Sequence, residues 1–288
     1  MPTSAMIDGF ILAAGLGTRM GPLSVVLPKP AWTLRGKPLL QWGAESMRSA
    51  GLEHLACNAH LHPQKLKNAM AGFAGLQVFM EPLLLGSAGG LLHVRGQSAD
   101  PLAVWNGDAL AEVPWEAFRT AHISRGADLS WLLIPHPGGP WTQVWLDEQG
   151  RVLLSGLASQ SLRCQGPFLF TGASLWSSKA LALLPDGPSQ TGDLIPRLAH
   201  HAGVVVPPFP WREIGTPDAL LAAAQEIASD QEGRIPGCYV HPSAVPQGQL
   251  HRCVLGPGAR LHPAMVDHDA LWFEESGHQV RLGLSRYD

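Results

Sequence analysis

Charge is what this sequence has least of. Only 15% of its 288 residues are Asp, Glu, Lys or Arg, against roughly a quarter in an average soluble domain. Hydrophobic residues make up 45%, so the shortage does not signal disorder, which couples low hydrophobicity to high net charge. The formal net charge is −3 and the basic residues form no dense cluster. The electrostatic footprint of a nucleic-acid partner is therefore missing, and none is expected. Lysine is scarcer still: Lys29, Lys37, Lys65, Lys67 and Lys179 are the whole set. A lysine inside a motif carries correspondingly more information.

Long apolar runs and paired cysteines are missing too. Residues 129–146 carry no Asp, Glu, Lys or Arg, but Pro135, Pro137, Gly138, Gly139 and Pro140 break the stretch, and a membrane helix needs about 20 mostly apolar residues. No membrane association is expected. Residues 10–16 are apolar without a preceding basic residue, Arg19 coming after them, which argues against a secretory leader and for a cytoplasmic location. Cys57, Cys164, Cys238 and Cys253 lack metal-ligand spacing and are expected to be buried thiols.

Glycine and proline are abundant, at 32 and 25 residues, about a fifth of the chain against a usual ~12%, which predicts many tight turns. Short apolar runs at 9–14, 53–58, 76–80 and 102–105 read as strands, and amphipathic stretches at 38–50, 63–71, 88–94 and 115–125 as helices. This alternation predicts an α/β fold: a Rossmann-like, mostly parallel sheet sandwiched by helices. Residues 129–172 read as antiparallel strands inserted over that sheet, and 177–184, 193–201 and 217–229 as helices. The pattern places one domain at 1–232 and a small C-terminal appendage at 233–288. In the appendage Leu255 and Leu261 lie six residues apart, as do Val254, Arg260 and Val266. That spacing suggests degenerate hexapeptide-repeat coils of a left-handed β-helix, the alternative being an irregular tail.

The first strand runs into Leu12-Ala13-Ala14-Gly15-Leu16-Gly17-Thr18-Arg19-Met20. A glycine-rich turn there offers unpaired backbone N–H groups to phosphate oxygens. A dinucleotide fingerprint would need glycine where Met20 stands and an acidic residue at the end of the second strand, where Cys57 and Asn58 stand. The kinase-type phosphate loop is excluded because Gly36-Lys37 is followed by Pro38. Asp108 ends an apolar run, at the sheet edge where open α/β folds bind ligands.

These residues, with Pro22-Leu-Ser, Leu27-Pro-Lys29-Pro and Gly36-Lys-Pro-Leu-Leu40, closely resemble the signature of the sugar-1-phosphate nucleotidyltransferases. Glu81-Pro-Leu-Leu-Leu-Gly86-Ser87-Ala-Gly-Gly90 is similar to the family's second nucleotide-binding loop, and Val104-Trp-Asn106-Gly-Asp108 to its metal-binding strand end. Phe170-Thr171-Gly172 and Trp211-Arg-Glu213-Ile-Gly-Thr-Pro217 match later blocks, so the resemblance covers roughly residues 7–229.

The resemblance implies the fold of nucleotide-diphospho-sugar transferases and a Mg2+-dependent condensation of a nucleoside triphosphate with a sugar 1-phosphate. It makes Arg19, Lys29 and Asp108 catalytic. Leu12, Ala13, Ala14, Gly15, Gly17, Thr18, Glu81, Gly86 and Ser87 would bind the nucleotide. Asn106, Gly139, Thr171 and Gly172 would meet the sugar, and Asp108 with Glu213 the metal. A helix start capped by Ser87 is the structural alternative for the second loop.

The sequence also departs from the family. Glu213 replaces the usual aspartate, Gly21 replaces a second arginine, and the Glu-Lys-Pro segment is missing, with Arg151, Arg163 or Arg212 as substitutes for its lysine. The loop at Glu81 resembles guanylyltransferases, whereas Asn58-Ala-His60-Leu-His62 and the missing segment resemble muramate-type uridylyltransferases. The balance tips slightly to UTP over GTP. A non-catalytic relative that binds a sugar nucleotide and regulates a partner is the rival reading. The appendage is expected to cover an apolar face or to join subunits in a homo-oligomer.

Overall fold

The structure, a computed structural model, describes residues 6–154, 163–227, 235 and 238–284. Its contacts divide the chain into two units. One comprises Met1–Ala14, Gly43–His60 and Phe73–Arg212, the other Gly15–Trp42, Leu61–Gly72 and Glu213–Asp288. The division expected at 232/233 falls outside the described residues.

The first unit is built on a nine-stranded sheet. Its strands are β1 (Ile7–Leu12), β2 (Leu55–Ala59), β3 (Leu76–Met80), β4 (Ser98–Asn106), β5 (Leu129–Pro135), β6 (Gln143–Leu146), β7 (Val152–Leu154), β8 (Gln165–Trp176) and β9 (His201–Val205). They lie in the order β7-β6-β8-β4-β1-β2-β3, while β5 pairs with β8 and β9. The run β4-β1-β2-β3 is parallel, as the helical connections between those strands require. Residues 129–134 of β5 and all of β2 are buried, in keeping with the continuous apolar runs of strands covered on both faces. Phe10, Val104, Leu133 and Trp176 belong to one core cluster. The fold is the mostly parallel α/β sheet that the sequence implied.

Three local expectations are corrected. Residues 129–172 do not lie over the sheet but extend it, because β8 pairs antiparallel with β4 from Ala173 opposite Trp105 to Trp176 opposite Leu102. The helix expected over 193–201 is a short turn of helix at Thr191–Leu194 and a 3-10 turn at Ile195–Arg197. Pro196 removes an N–H from any longer ladder, and His201–Val205 becomes a strand parallel to β5. The helix at 88–94 is likewise a turn at Gly86–Gly89 followed by a 3-10 turn at Gly90–Val94.

In the second unit the C-terminal residues form stacked coils rather than an irregular tail. Tyr239–Val240, Val254–Leu255 and Ala270–Glu275 stack in parallel on one side. Val245 bridges Arg260 on a second, and Gln249–His251 pairs Val266–His268 on a third. Val254, Arg260 and Val266, spaced by six, thus fall on successive sides, while Leu255 and Leu261 point into a small core with Cys253 and Ala259. An antiparallel strand, His278–Gly283, closes the stack. In the same unit Trp32 is fully buried against Tyr239 and His241. The hydroxyl of Tyr239 also accepts from the Thr33 amide at 3.3 Å.

Candidate active site

In the second unit the residues around the glycine turn come together. Gly15, Thr18 and Arg19 are exposed, and Gly17 makes a left-handed turn (φ 63°) into the 3-10 turn Thr18–Met20. A Cβ on Gly17 would lie 3.5 Å from the Cβ of Lys29, so the lysine stem packs against the turn. The guanidinium of Arg19 donates to Oε1 of Glu213, forming an ion pair. The Arg19 side chain is 60% exposed and that of Glu213 17%. Gly215 lies directly beneath the guanidinium. The expected phosphate grip and the expected second metal carboxylate are therefore partners of one another.

In the first unit the end of β1 is fixed by a buried polar chain. The Ala13 N–H donates to Oδ1 of Asn58 at 2.7 Å, and Nδ2 of Asn58 donates to Oε1 of Glu81 at 2.7 Å. The other carboxylate oxygen of Glu81 accepts from the Leu85 N–H at 3.2 Å, capping the turn that follows. Glu81 has no exposed side-chain surface, and Nε2 of His93 stands 3.6 Å from its Oε1. Asn58 is an unexpected centre here. A polar residue inside the otherwise apolar strand Leu-Ala-Cys-Asn-Ala was the signal that could have marked it.

The rest of the second loop is held from outside. Ser87 Oγ donates to Oε1 of Gln190 at 3.0 Å and accepts from the Thr191 N–H at 2.9 Å. Ser87 does not cap the short helix; the residue before that helix is Leu85, which makes no side-chain cap. Gly86 takes φ 78° beside Gln190 and the Ser189 carbonyl.

Asn106 ends β4 and Asp108 follows it in a turn, where the Gly107 N–H donates to the Leu12 carbonyl at 2.9 Å. The turn is thereby tied to the end of β1, and Asp108 lies half-buried at that edge. Leu12 and Ala14 complete the β1 end, with Ala14 buried. Gly172 meets Asn106 so closely that a Cβ on it would lie 2.9 Å from the Asn106 Cβ, and its φ of 93° suits glycine alone. Thr171 is fully buried, and its hydroxyl donates to the Leu132 carbonyl at 3.0 Å. That hydroxyl also accepts from the Ala173 N–H at 3.3 Å within an irregularity of β8, and Gly172 is buried with it, which leaves the half-buried Asn106 as the more open of the three. Gly139 sits in a turn against Trp141. Of the substitute arginines, Arg151 pairs with Asp147 and Arg163 with Glu148, while Arg212 is half-buried.

Residues 9–235 match the family described as the MobA-like NTP transferase domain. The chain belongs to this family. Among curated relatives, the mannose-1-phosphate guanylyltransferase of Mycobacterium tuberculosis is 24% identical over 292 residues, spanning 90% of this chain and 79% of that protein. The UTP--glucose-1-phosphate uridylyltransferase of Synechocystis sp. is 24% identical over 262 residues, spanning 82% and 68%. Among solved structures, HddC from Yersinia pseudotuberculosis complexed with GMP-PN superposes with a TM-score of 0.65 at 20% identity, covering 77% of this chain and 99% of that one. This last likeness concerns the fold.

Among the described residues of this NTP transferase domain, no three His, Cys, Asp or Glu side chains gather into a metal cage. Mg2+ does not need one, since it is held by one or two carboxylates together with substrate phosphates and water. The hard oxygen donors of Asp108 fit that requirement. Glu213 supplies the same donor chemistry but is shared with Arg19. Among the described residues, no helix is long and apolar enough to cross a membrane.

Proposed function

We propose that this protein joins a sugar 1-phosphate to a nucleoside triphosphate in a Mg2+-dependent reaction, releasing pyrophosphate. An oxygen of the sugar phosphate attacks the α-phosphorus, and the bond from that phosphorus to the bridging oxygen of the β-phosphate breaks. Both reactants are anions, so catalysis consists of charge stabilisation and in-line positioning. The observation that carries this reading is the packing of Lys29 against an exposed glycine turn that also bears Arg19.

Arg19 grips the β- and γ-phosphates through its planar fork and stabilises the departing pyrophosphate. Lys29 sets a point charge beside the α-phosphate and the nucleophile. Backbone N–H groups of 14–18 line the phosphates through Ala14, Gly15, Gly17 and Thr18, while Leu12 and Ala13, whose N–H is held by Asn58, set the entry to the turn. Asp108, with Glu213 as second carboxylate, would hold the magnesium, whose charge would offset that of the phosphates. Gly86 and Ser87 face the base, and Asn106, Gly139 and Gly172 the sugar. The protein works in the cytoplasm, and residues 233–288 serve as an appendage through which copies associate.

For the base we favour UTP. Glu81 is buried, with one oxygen accepting from Asn58 and the other from Leu85. It is thus engaged inside the protein rather than presented to the N1–H and N2–H2 of guanine. GTP is the second reading, favoured by relatives named as guanylyltransferases. Pyrophosphate release from a panel of triphosphates and sugar 1-phosphates with Mg2+ tests both. Turnover with no pair, together with binding of a sugar nucleotide, would favour the regulatory alternative. A GTP preference of tenfold or more, about 1.4 kcal/mol in transition-state binding, would sink UTP.

A further inference from the structure

We propose that Cys238 and Cys253 form a redox-active pair that hydrogen peroxide closes into a disulfide, locking two adjacent C-terminal coils together. The two residues lie 15 positions apart in sequence, one on each of two parallel coils. Tyr239 and Val240 pair with Val254 and Leu255, and the Tyr239 N–H donates to the Cys253 carbonyl at 2.9 Å. That register sets Cys238 beside Cys253. Neighbouring strands lie about 4.8 Å apart, inside the roughly 4.4–6.8 Å between Cα atoms that a disulfide spans. Both residues belong to the same small core as Leu250 and Leu255.

The groups around the two sulfurs differ, and the difference assigns their roles. The Cys253 N–H donates to Sγ of Cys238 at 3.3 Å, a contact that favours the thiolate there. Sγ of Cys253 instead stands 3.4 Å from the His251 carbonyl and 3.7 Å from the Asp267 carbonyl, acceptors that favour the thiol. The hydrogen bond between the two side chains, with that amide, lowers the pKa of Cys238, and the same side-chain bond with burial raises that of Cys253. Access divides them the same way. Cys253 is fully buried, whereas Cys238 is 9% exposed and lines a cavity of about 60 Å³ together with the exposed Arg35, Gly36 and Pro242. That volume holds a few water-sized molecules, which suits hydrogen peroxide and excludes a bulky oxidant such as glutathione disulfide. Cys57 shares neither feature, being fully buried in β2 with its thiol pushed up to about 12 by burial.

With peroxide as the oxidant, the Cys238 thiolate attacks one peroxide oxygen and the O–O bond breaks. Hydroxide leaves and takes up the proton that the thiol gave up, so Cys238 becomes a sulfenic acid and one water forms. The Cys253 sulfur then attacks the sulfenic sulfur, and the sulfenic hydroxyl leaves with the Cys253 proton as a second water. Two thiols lose two electrons and one peroxide becomes two waters. The locked coil includes Tyr239, whose ring packs against Trp32. Oxidation thereby stiffens the cover of that buried indole.

The test treats the full-length protein with hydrogen peroxide, blocks the remaining thiols with N-ethylmaleimide and maps the peptides by mass. A linked pair carrying Cys238 and Cys253, two hydrogens lighter than the thiol forms and split by dithiothreitol, is expected. The midpoint of thermal unfolding should rise by about 5 °C, because the cross-link restricts the unfolded chain. Cys253→Ser should leave the sulfenic acid at Cys238 unresolved, where dimedone traps it, and Cys238→Ser should leave Cys253 a thiol. A parent protein that keeps both thiols, or is oxidised at the half-buried Cys164 alone, overturns the inference without recourse to any variant. A disulfide that forms without raising the midpoint overturns the lock. Dimedone capture at Cys253 in Cys238→Ser overturns the assigned roles.

Discussion

Arg19 and Glu213 are joined by an ion pair although 194 positions separate them in sequence. The arginine is largely exposed, and exposed pairs contribute only about 0–1 kcal/mol. A pair that weak yields readily to a polyanion. Glu213 thus holds the guanidinium over Gly215, and under the proposed reaction it would release it to triphosphate oxygens.

From this pairing, Arg19→Lys should lower kcat about tenfold or more while changing nucleotide affinity less, because a point charge replaces the planar fork at the leaving group. Steady-state kinetics with pyrophosphate detection provides the check. An unchanged kcat contradicts the role. For Glu213→Gln, the Mg2+ concentration needed for half-maximal rate should rise, and Glu213→Asp should restore it. If only the nucleotide KM moves, Glu213 orients Arg19 and holds no metal.

Asp108→Asn should abolish turnover without loss of fold. The amide keeps the shape of the side chain but loses the charge that opposes a divalent cation. Circular dichroism and activity measured on the same preparation test this, and a near-normal rate removes Asp108 from the site.

Glu81→Gln should destabilise the protein by about 1–3 kcal/mol, because one amide cannot accept from both Asn58 and Leu85 without turning its own NH2 against a donor. Urea unfolding measures the loss. Equal stability would show that the buried chain Ala13–Asn58–Glu81 does not hold the loops it joins.

The coils at the C-terminus bury Trp32, three residues beyond Lys29. A chain ending at residue 233 should expose that ring and scatter light as aggregates or as a changed oligomer, since burying a large apolar side chain contributes about 1.5–3 kcal/mol. A well-behaved particle of unchanged stoichiometry would refute the covering role.

His241 packs edge-on to Trp32, and burial holds its pKa down to about 4. The unfolded chain takes up the proton near 6.5, so stability is fully present above that pH and declines as pH falls toward 4. Burial also lowers the pKa of His122 and His201, which act in the same direction. His241→Gln should flatten the decline in thermal stability between about pH 6.5 and 4. An unchanged profile would place the effect on the other two histidines.

By itself the sequence determined the parallel core and the family. The strand at 76–80 and the helices near 39–49 and 115–124 follow local patterns that tertiary context reinforces. The first signature keeps its residues close along the chain, so the glycine turn, Arg19 and Lys29 were legible together. Only tertiary structure decided that 165–176 joins the sheet, because an antiparallel partner is chosen by long-range pairing and not by periodicity. It alone set Glu213 against Arg19, committed Glu81 and Thr171 to internal hydrogen bonds, and brought Cys238 beside Cys253. The physical reason is common to all four. A side chain's type reveals what it can bond to, but which partner it takes depends on groups brought close by folding from distant parts of the chain.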